Sequence, residues 1–251
     1  MELNNYKKNF LKNRNILITG ASRGIGKTLS ISLSKYGANI IMLGKNEELL
    51  DQVYDEIKDM CNTSPLIIAS DLNNLDESKA QEISNVIFNE YGHLDALINN
   101  AAILDKMSLI EDYDLKTWEK VLKINLTSAF LLSKYSIPLM KKSLIPRIIF
   151  TSSSVAKEGK AYWGAYSASK AGVKVLSEII SDELESISKF KIFNFNPKAT
   201  QTNMRSLAYP AEDPTSIKKP EELIKYYLWM LSDESSSSKN TYIKYGDSVS
   251  I

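Results

Sequence analysis

Two stretches of the chain place a tyrosine four residues before a lysine: YSASK at 166–170 and YDEIK at 54–58. On a helix, residues four apart share a face, so each pair could bring a phenol and an ammonium to one pocket. A phenol ordinarily titrates near pH 10, which makes it a poor proton-transfer group at neutral pH. A neighbouring ammonium favours the phenolate and lowers that value. Such a phenol could trade a proton with the alkoxide that forms when a ketone accepts a hydride. With 13 Tyr and 31 Lys or Arg among 251 residues, about one or two such pairs arise by chance, so spacing alone decides nothing.

The surroundings separate the two pairs. Tyr166 is preceded by IIFTSSS, a β-branched run that ends in three serines. Ser153, thirteen residues before Tyr166, could donate its hydroxyl to a carbonyl oxygen and hold it in place. Ser152 and Ser154 are adjacent alternatives, and strand alternation favours Ser153. YDEIK lies instead in the acidic helical pattern EELLDQVYDEIKDM, with no serine-tipped strand ahead of it. Lys58 is expected to pair there with neighbouring carboxylates on a solvated face.

Seven short, nearly continuous apolar runs predict the strands that must carry these groups: 15–19, 38–43, 65–70, 94–99, 146–152, 191–196 and 241–245. Continuous apolar strands are those covered on both faces. Helical patterns separate them, such as KTLSISLSKYG at 27–37, where Leu29, Leu33 and Tyr36 recur at helical spacing and Gly37 closes the segment. Alternation of this kind implies a parallel sheet with right-handed crossovers, doubly wound, in one domain spanning 1–251. The stretch 198–219, with Pro210 and Pro214 and no clear periodicity, follows the sixth strand. It is expected to be a substrate lid at the carboxyl edge of the sheet, a floppy loop being the alternative.

The first strand runs into TGASRGIG at 19–26 and then a helix. Gly20, Gly24 and Gly26 permit a tight turn and close approach of a pyrophosphate, and the helix N-terminus offers free N–H groups to that anion. The spacing is GxxxGxG, not the GxGxxG of the usual dinucleotide fingerprint. A purely structural glycine turn is the competing reading. After the second strand come Gly44 and Lys45, with no carboxylate before Glu47. An NAD-type site wants an acid there for the ribose 2′-OH. Lys45 and Arg23 suit a 2′-phosphate through charge-assisted hydrogen bonds, whereas two solvated surface cations are the bland alternative.

TGASRGIG, NNAA at 99–102, Asn125, TSSS and YSASK in this order resemble the short-chain dehydrogenase/reductase superfamily of the single-domain type. The similarity covers essentially the whole chain and is greatest to bacterial reductases related to 3-oxoacyl-(acyl-carrier-protein) reductase. It is closer still to an enterobacterial subgroup of uncharacterised oxidoreductases, through TSSSV at 151–155, YWGAY at 162–166 and YPAEDP at 209–214. The resemblance implies a Rossmann-like sheet of about seven strands with helices on both faces, and a catalytic tetrad of Asn125, Ser153, Tyr166 and Lys170. Ser153 and Tyr166 would contact substrate, with the serine-to-tyrosine spacing also matching the family. Asn125 would bend its helix and hold a water that links Lys170 to solvent. Thr19, Gly20, Ser22, Arg23, Gly24, Ile25 and Gly26 would form the cofactor turn. Asp71 would contact adenine, Asn99 and Ala101 would lie along the adenosine ribose, and Pro197, Thr200 and Thr202 would flank the nicotinamide with Tyr166 and Lys170. Arg23 and Lys45 occupy positions that commonly mark NADP(H) preference over NAD(H).

Two departures stand out. Ala102 replaces the last glycine of NNAG, and Lys198 follows Pro197 where the family has glycine. The methyl of Ala102 is expected to be tolerated, whereas Lys198 puts the geometry of the nicotinamide wall in doubt; together they lend some weight to a second reading, a nicotinamide-binding protein with little catalysis acting as a redox sensor or scaffold partner. The intact tetrad argues for the first: an NADP(H)-dependent oxidoreductase that reduces a ketone, such as a 3-oxoacyl thioester, or runs in reverse on a secondary alcohol. Family resemblance also implies a homodimer or homotetramer.

Composition narrows the remaining classes. Hydrophobic residues make up 43% and charged residues 24%, with net charge +1, so a nucleic-acid or membrane-surface role driven by bulk charge is not expected. No apolar run approaches the roughly 18 residues needed to span a bilayer. The start, MELNNYKKNFLKNR, carries no apolar stretch of signal-peptide length. Cys61 is the lone cysteine, which excludes an internal disulfide and fits a reducing, cytoplasmic compartment. With one His (His93, read as a surface residue) and one Cys, a zinc site of those ligands is not expected. Trp118 and Trp229 are read as packing; Tyr162 and Trp163 could line a pocket or pack a helix start.

Overall fold

The computed structural model describes residues 6–186 and 189–249. Seven parallel strands form one sheet in the order β3-β2-β1-β4-β5-β6-β7. They are β1 Asn15–Thr19, β2 Asn39–Gly44, β3 Leu66–Ala69, β4 Ala96–Asn99, β5 Arg147–Thr151, β6 Lys191–Asn196 and β7 Tyr242–Lys244. The helices are α1 Gly24–Lys35, α2 Glu47–Met60, α3 Glu77–Tyr91, α4 Leu115–Leu122, α5 Ser128–Met140, α6 Gly164–Glu183, α7 Asn203–Ala208 and α8 Ile224–Met230. The sheet is the Rossmann-like architecture expected from the alternation of apolar runs and helical patterns.

Strand alternation divides the interior into two cores. Ile16 and Ile18 of β1 pack with Leu29 and Leu33 of α1, Val53 of α2 and Tyr227 of α8. Leu17, between them, faces Ile83 and Ile87 of α3, Leu131 and Leu132 of α5 and Val173 of α6. Both faces of the central strands are therefore apolar, which is why their sequences do not alternate. From β1 the chain winds outward to β3 and then returns to lay β4 on the other side of β1. The crevice opens where the winding reverses, at the carboxyl ends of β1 and β4. Thr19 and Asn99 mark it.

The opposite end of the sheet is tied by a buried guanidinium. Arg147, at the start of β5, has no exposed surface. Its Nε donates to Met230 O at 3.1 Å, Nη1 to Pro146 O and Lys189 O at 3.1 and 3.2 Å, and Nη2 to Ser232 O at 3.0 Å and Ser236 Oγ at 2.6 Å. Burial, with Arg14 nearby, pushes its pKa down to about 10, so it stays charged at neutral pH. The group is held by carbonyl dipoles, which fastens the segment after α8 to the central sheet.

The stretch 198–219 is more ordered than its lack of periodicity implies. It contains α7, capped by Thr202 accepting from Arg205 N at 3.3 Å, and a short turn of 3₁₀ helix at Pro214–Ser216. Local capping, invisible to a periodicity argument, builds both.

Replacing Arg147 with Met removes every donor while filling much of the space, leaving buried carbonyls unpaired. Urea unfolding of Arg147→Met should show stability lower by at least about 3 kcal/mol at an unchanged slope.

Candidate active site

The glycine turn is shaped by contact with the end of β4. Gly20 has φ +67°, and a Cβ there would lie 3.1 Å from Ala101 Cα. A Cβ on Gly26 would meet Gly20 O at 2.1 Å, so no side chain fits. Thr19 Oγ1 accepts from Asn100 N at 3.0 Å and Ala101 N at 2.9 Å, and Asn100 Nδ2 donates to Thr19 O at 3.0 Å. Thr19 thus welds two loops, with its hydroxyl committed to backbone. Asn100, missed in the sequence, completes the weld; its place in NNAA was the available signal. Ser22 and Ile25 are half-buried in the turn and first helical residues. The backbone at Arg23 is extended and no side chain caps α1, leaving its first amides to serve an anion. A Cβ-free cradle and an uncapped helix start fit a dinucleotide pyrophosphate.

Parallel pairing brings the second cation to this turn. Thr19 stands opposite Leu43 in the register of β1 with β2, and Gly20 N donates to Leu43 O at 2.8 Å. Lys45 follows two residues later and is exposed, as is Arg23. Among the ion pairs of the described residues, neither cation takes part. Asp71 is half-buried, and its Oδ1 accepts from Asn73 N at 2.9 Å, which fixes the turn after β3. Asn99 is buried and its amide donates to Ser133 Oγ at 3.3 Å, so its side chain belongs to the α5 layer.

At the end of β5 the three serines separate. Ser152 is buried, and Ser154 accepts from Asn196 Nδ2 at 3.2 Å. Ser153 is half-buried beside the Tyr166 hydroxyl, which it draws toward lower pKa. Tyr166 and Lys170, on the first turns of α6, are 7% and 2% exposed. Lys170 Nζ donates to Thr151 O at 2.6 Å and lies 5.7 Å from the Tyr166 ring centre.

The electrostatics differ from expectation. Burial pushes the Tyr166 phenol up to about 12, with Ser153 the opposing influence. Burial likewise pushes Lys170 down to about 8. In the protein alone desolvation therefore sets both directions, because removal from water disfavours both charged forms.

Asn125 occupies a π-helical turn, Lys123–Thr127, between α4 and α5. Its Oδ1 accepts from Ile103 N at 2.8 Å, and its Nδ2 donates to Ile103 O at 2.9 Å and Ser169 Oγ at 3.0 Å. The widened turn and these bonds leave a cavity of about 10 Å³ lined by Asn125, Ser128, Thr151 and Lys170 among others. That space is about the size of one water, and its wall is polar.

After β6, Pro197 is buried and Lys198 has φ +53°. The turn keeps the left-handed conformation a glycine would favour, at a cost of about 1–2 kcal/mol for a lysine. Thr200 donates to Pro197 O and Lys198 O at 3.3 and 3.2 Å, so its hydroxyl serves its own turn. Thr202 reaches the glycine turn instead: its Cγ2 lies 3.3 Å from a Cβ built on Gly24. The other Tyr–Lys pair comes apart. Tyr54 of α2 packs against the core, whereas exposed Lys58 donates to Thr63 O at 3.5 Å, a carbonyl in place of the expected carboxylate. His93 contacts Asp95 at 3.2 Å, at the amino end of β4.

The geometry has close counterparts. Residues 14–213 match the family model for short chain dehydrogenase. The chain is 35% identical over 229 residues to the uncharacterised oxidoreductase YciK of Escherichia coli K12, covering 91% of this chain and 90% of that one. It is 28% identical over 235 residues to the 3-oxoacyl-[acyl-carrier-protein] reductase FabG of Thermotoga maritima, covering 90% and 93%. A short chain dehydrogenase of Escherichia coli CFT073, solved in complex with NADPH, superposes with a TM-score of 0.92 at 34% identity, over 96% of this chain and all of that one. With its parallel sheet, glycine turn and buried tyrosine–lysine pair, the chain belongs to the short-chain dehydrogenase family of oxidoreductases.

Proposed function

We propose that the protein is an NADP(H)-dependent reductase of a ketone, working in reverse as a secondary-alcohol dehydrogenase. The observation that carries this reading is the burial of Tyr166 and Lys170 one turn apart, beside half-buried Ser153, at the same sheet edge as the glycine turn. The first amides of α1 would hold the pyrophosphate, and Arg23 and Lys45 the 2′-phosphate. Pro197 and Thr202 would flank the nicotinamide, with Asp71 and the backbone at Asn99 and Ala101 along the adenosine. Bound there, the cofactor supplies the hydride. The NADPH complex of the Escherichia coli CFT073 relative favours the phosphorylated form.

On the protein side, Ser153 donates to the ketone oxygen and orients it. As that oxygen gains negative charge, the Tyr166 hydroxyl gives up its proton to it. The phenolate left behind is stabilised by the Lys170 ammonium, held in turn by Thr151 O. Asn125 keeps the cavity beside Lys170 open, giving a water through which the proton is replaced. A 3-oxoacyl thioester is the first substrate to test, given the likeness to FabG of Thermotoga maritima. Residues 198–219 form the substrate lid of this single-domain enzyme. Exposed apolar Phe130 on α5 and Val175 and Ile179 on α6 favour a homodimer or homotetramer that covers them. Among the described residues no helix is long and apolar enough to cross a membrane, in keeping with a cytoplasmic enzyme.

Tyr166→Phe should lower kcat for ketone reduction by about 10²–10⁴ while leaving NADPH binding intact; equal turnover by the variant across a ketone panel would refute the assignment. The pH profile has a definite sign. Lys170 in the folded protein loses its proton near pH 8, well below the usual lysine value, and kcat/KM reports groups of the free enzyme. It should hold level below about pH 8 and decline above it; a level profile to pH 10 contradicts the role of the ammonium. For the cofactor, the double variant Arg23→Ala, Lys45→Ala should weaken NADPH binding by about 10²-fold and NADH binding little, measured by fluorescence titration.

A further inference from the structure

Apart from Tyr166 itself, the YWGAY and YPAEDP segments have no side chain assigned to the proton transfer, yet they meet at Trp163 beside that tyrosine. Trp163 stands immediately before α6, and its ring centre is 5.6 Å from that of Tyr166 at 62°. Its ring also meets Tyr209, centre to centre 6.1 Å. Tyr209 is itself held from two further directions. The Arg205 guanidinium lies 3.7 Å from its ring centre, and Lys160 Nζ donates to its hydroxyl at 3.0 Å. Glu212 fixes Arg205 by a bidentate pair, Nε to Oε2 and Nη2 to Oε1, both at 2.6 Å. Tyr209 N bonds Arg205 O at 3.0 Å, and Glu212 N bonds Tyr209 O at 3.1 Å, so the segment folds back on itself.

This assembly is built as a clamp. A planar guanidinium can face a ring and grip a carboxylate through its edge at once, which an ammonium cannot do. Asp213 accepts from Thr215 N and Oγ1 at 2.8 Å and starts the next turn. The two prolines, Pro210 and Pro214, restrict the chain on either side of Glu212. At its other end the segment rests on the glycine turn through Thr202 and Gly24. One stretch of chain therefore reaches from the cofactor turn to the ring that walls the phenol.

We propose that Tyr209 is a positioning residue of the ketone reduction: clamped by Arg205, Glu212 and Lys160, it presses Trp163 against Tyr166 and fixes the phenol at the substrate carbonyl. This rests on the reductase reading of the same site. Tyr209 touches neither the phenol nor, by its location, the reacting oxygen; it acts through Trp163. The ring performs this task, so phenylalanine should replace it, whereas alanine should not. A wall that only bound substrate would act on KM; one that aligns the phenol acts on kcat, because the alignment matters once proton transfer begins.

The test uses the full chain with NADPH and acetoacetyl-N-acetylcysteamine, a small 3-oxoacyl thioester, alongside a panel of simple ketones. Tyr209→Ala should lower kcat by about 10- to 100-fold with KM changed less than about threefold, and Tyr209→Phe should restore kcat to within about threefold of the parent. Independently of turnover, acrylamide quenching of Trp163 fluorescence, isolated by difference against Trp163→Phe, should rise in Tyr209→Ala and not in Tyr209→Phe. Unchanged quenching in the alanine variant overturns the proposal whatever the kinetics show, as does a rise in KM alone. Equal loss in the phenylalanine and alanine variants also overturns it, since the hydroxyl and not the ring would then be the active part. If the parent protein reduces no ketone, the reductase reading fails and the positioning role falls with it. The quenching pattern then still decides whether Tyr209 walls Trp163.

Discussion

The structure turns on the burial of one ammonium. Lys170 sits almost fully out of water at the seam between α6 and β5, with Thr151 O as its protein partner. Removing a charge from water costs several kcal/mol unless dipoles replace the lost solvation. A backbone carbonyl supplies one, and the water-sized cavity shared with Asn125 makes room for another. That cavity exists because the helix between Leu115 and Met140 is widened at Lys123–Thr127. A π turn breaks the regular bonding ladder, and it persists here because Asn125 replaces the lost local bonds with two to Ile103 and one to Ser169. Those bonds also tie the loop after β4 to α6. The cation, the widened helix and the loop after β4 are joined through these bonds.

The same burial gives the phenol its character. Tyr166, pushed up to about 12, stays protonated through the physiological range and is a proton donor held in reserve. In the proposed reduction its proton would leave only when a stronger pull develops, namely negative charge on a carbonyl oxygen beside Ser153. A phenol kept neutral by desolvation suits reduction, in which the proton is needed late. Charge at the opposite end of the crevice answers a different need: Arg23 and Lys45 are exposed and free of carboxylate partners among the described residues. On the proposed reading, the solvated cations would serve a phosphate and the desolvated one a proton transfer.

Much of this was legible in the chain. All seven apolar runs became strands: the central ones are buried on both faces, and the short length and β-branched content of the runs separate them from helical patterns. The placing of YSASK and Ser153 together at the carboxyl end of a strand was legible, because the serine-tipped strand stands directly ahead of the helix in the chain. The exact tasks of side chains were less legible. Thr19 and Thr200 read as cofactor contacts, yet their hydroxyls close backbone turns, since a threonine looks the same whether it binds a ligand or a neighbouring carbonyl. The sign of the Tyr166 shift was misjudged for a related reason: helical spacing shows the ammonium but not the depth of burial. The stretch after β6 read as irregular because its order comes from caps, an ion pair and a stacked ring, none of which is periodic.

Lys198 shows how a departure from the family pattern can leave the architecture intact. With φ +53° the backbone after Pro197 follows a course that a glycine would readily take. Its side chain does not crowd the crevice, because its Nζ extends toward the turn after β7, 3.6 Å from a Cβ built on Gly246. There it meets Lys218, which is pushed down to about 8, first by burial and then by the like charges of Lys198 and Arg205, against an opposing pull from Glu222. Two ammonium groups in one corner repel, and the corner tolerates them because Lys218 donates to Ala199 O and lies 4.1 Å from the Tyr245 ring centre. The strain of the left-handed lysine and the repulsion it brings are thus borne behind the crevice. The face turned to Ser153 and Tyr166 keeps the chemistry that their burial dictates.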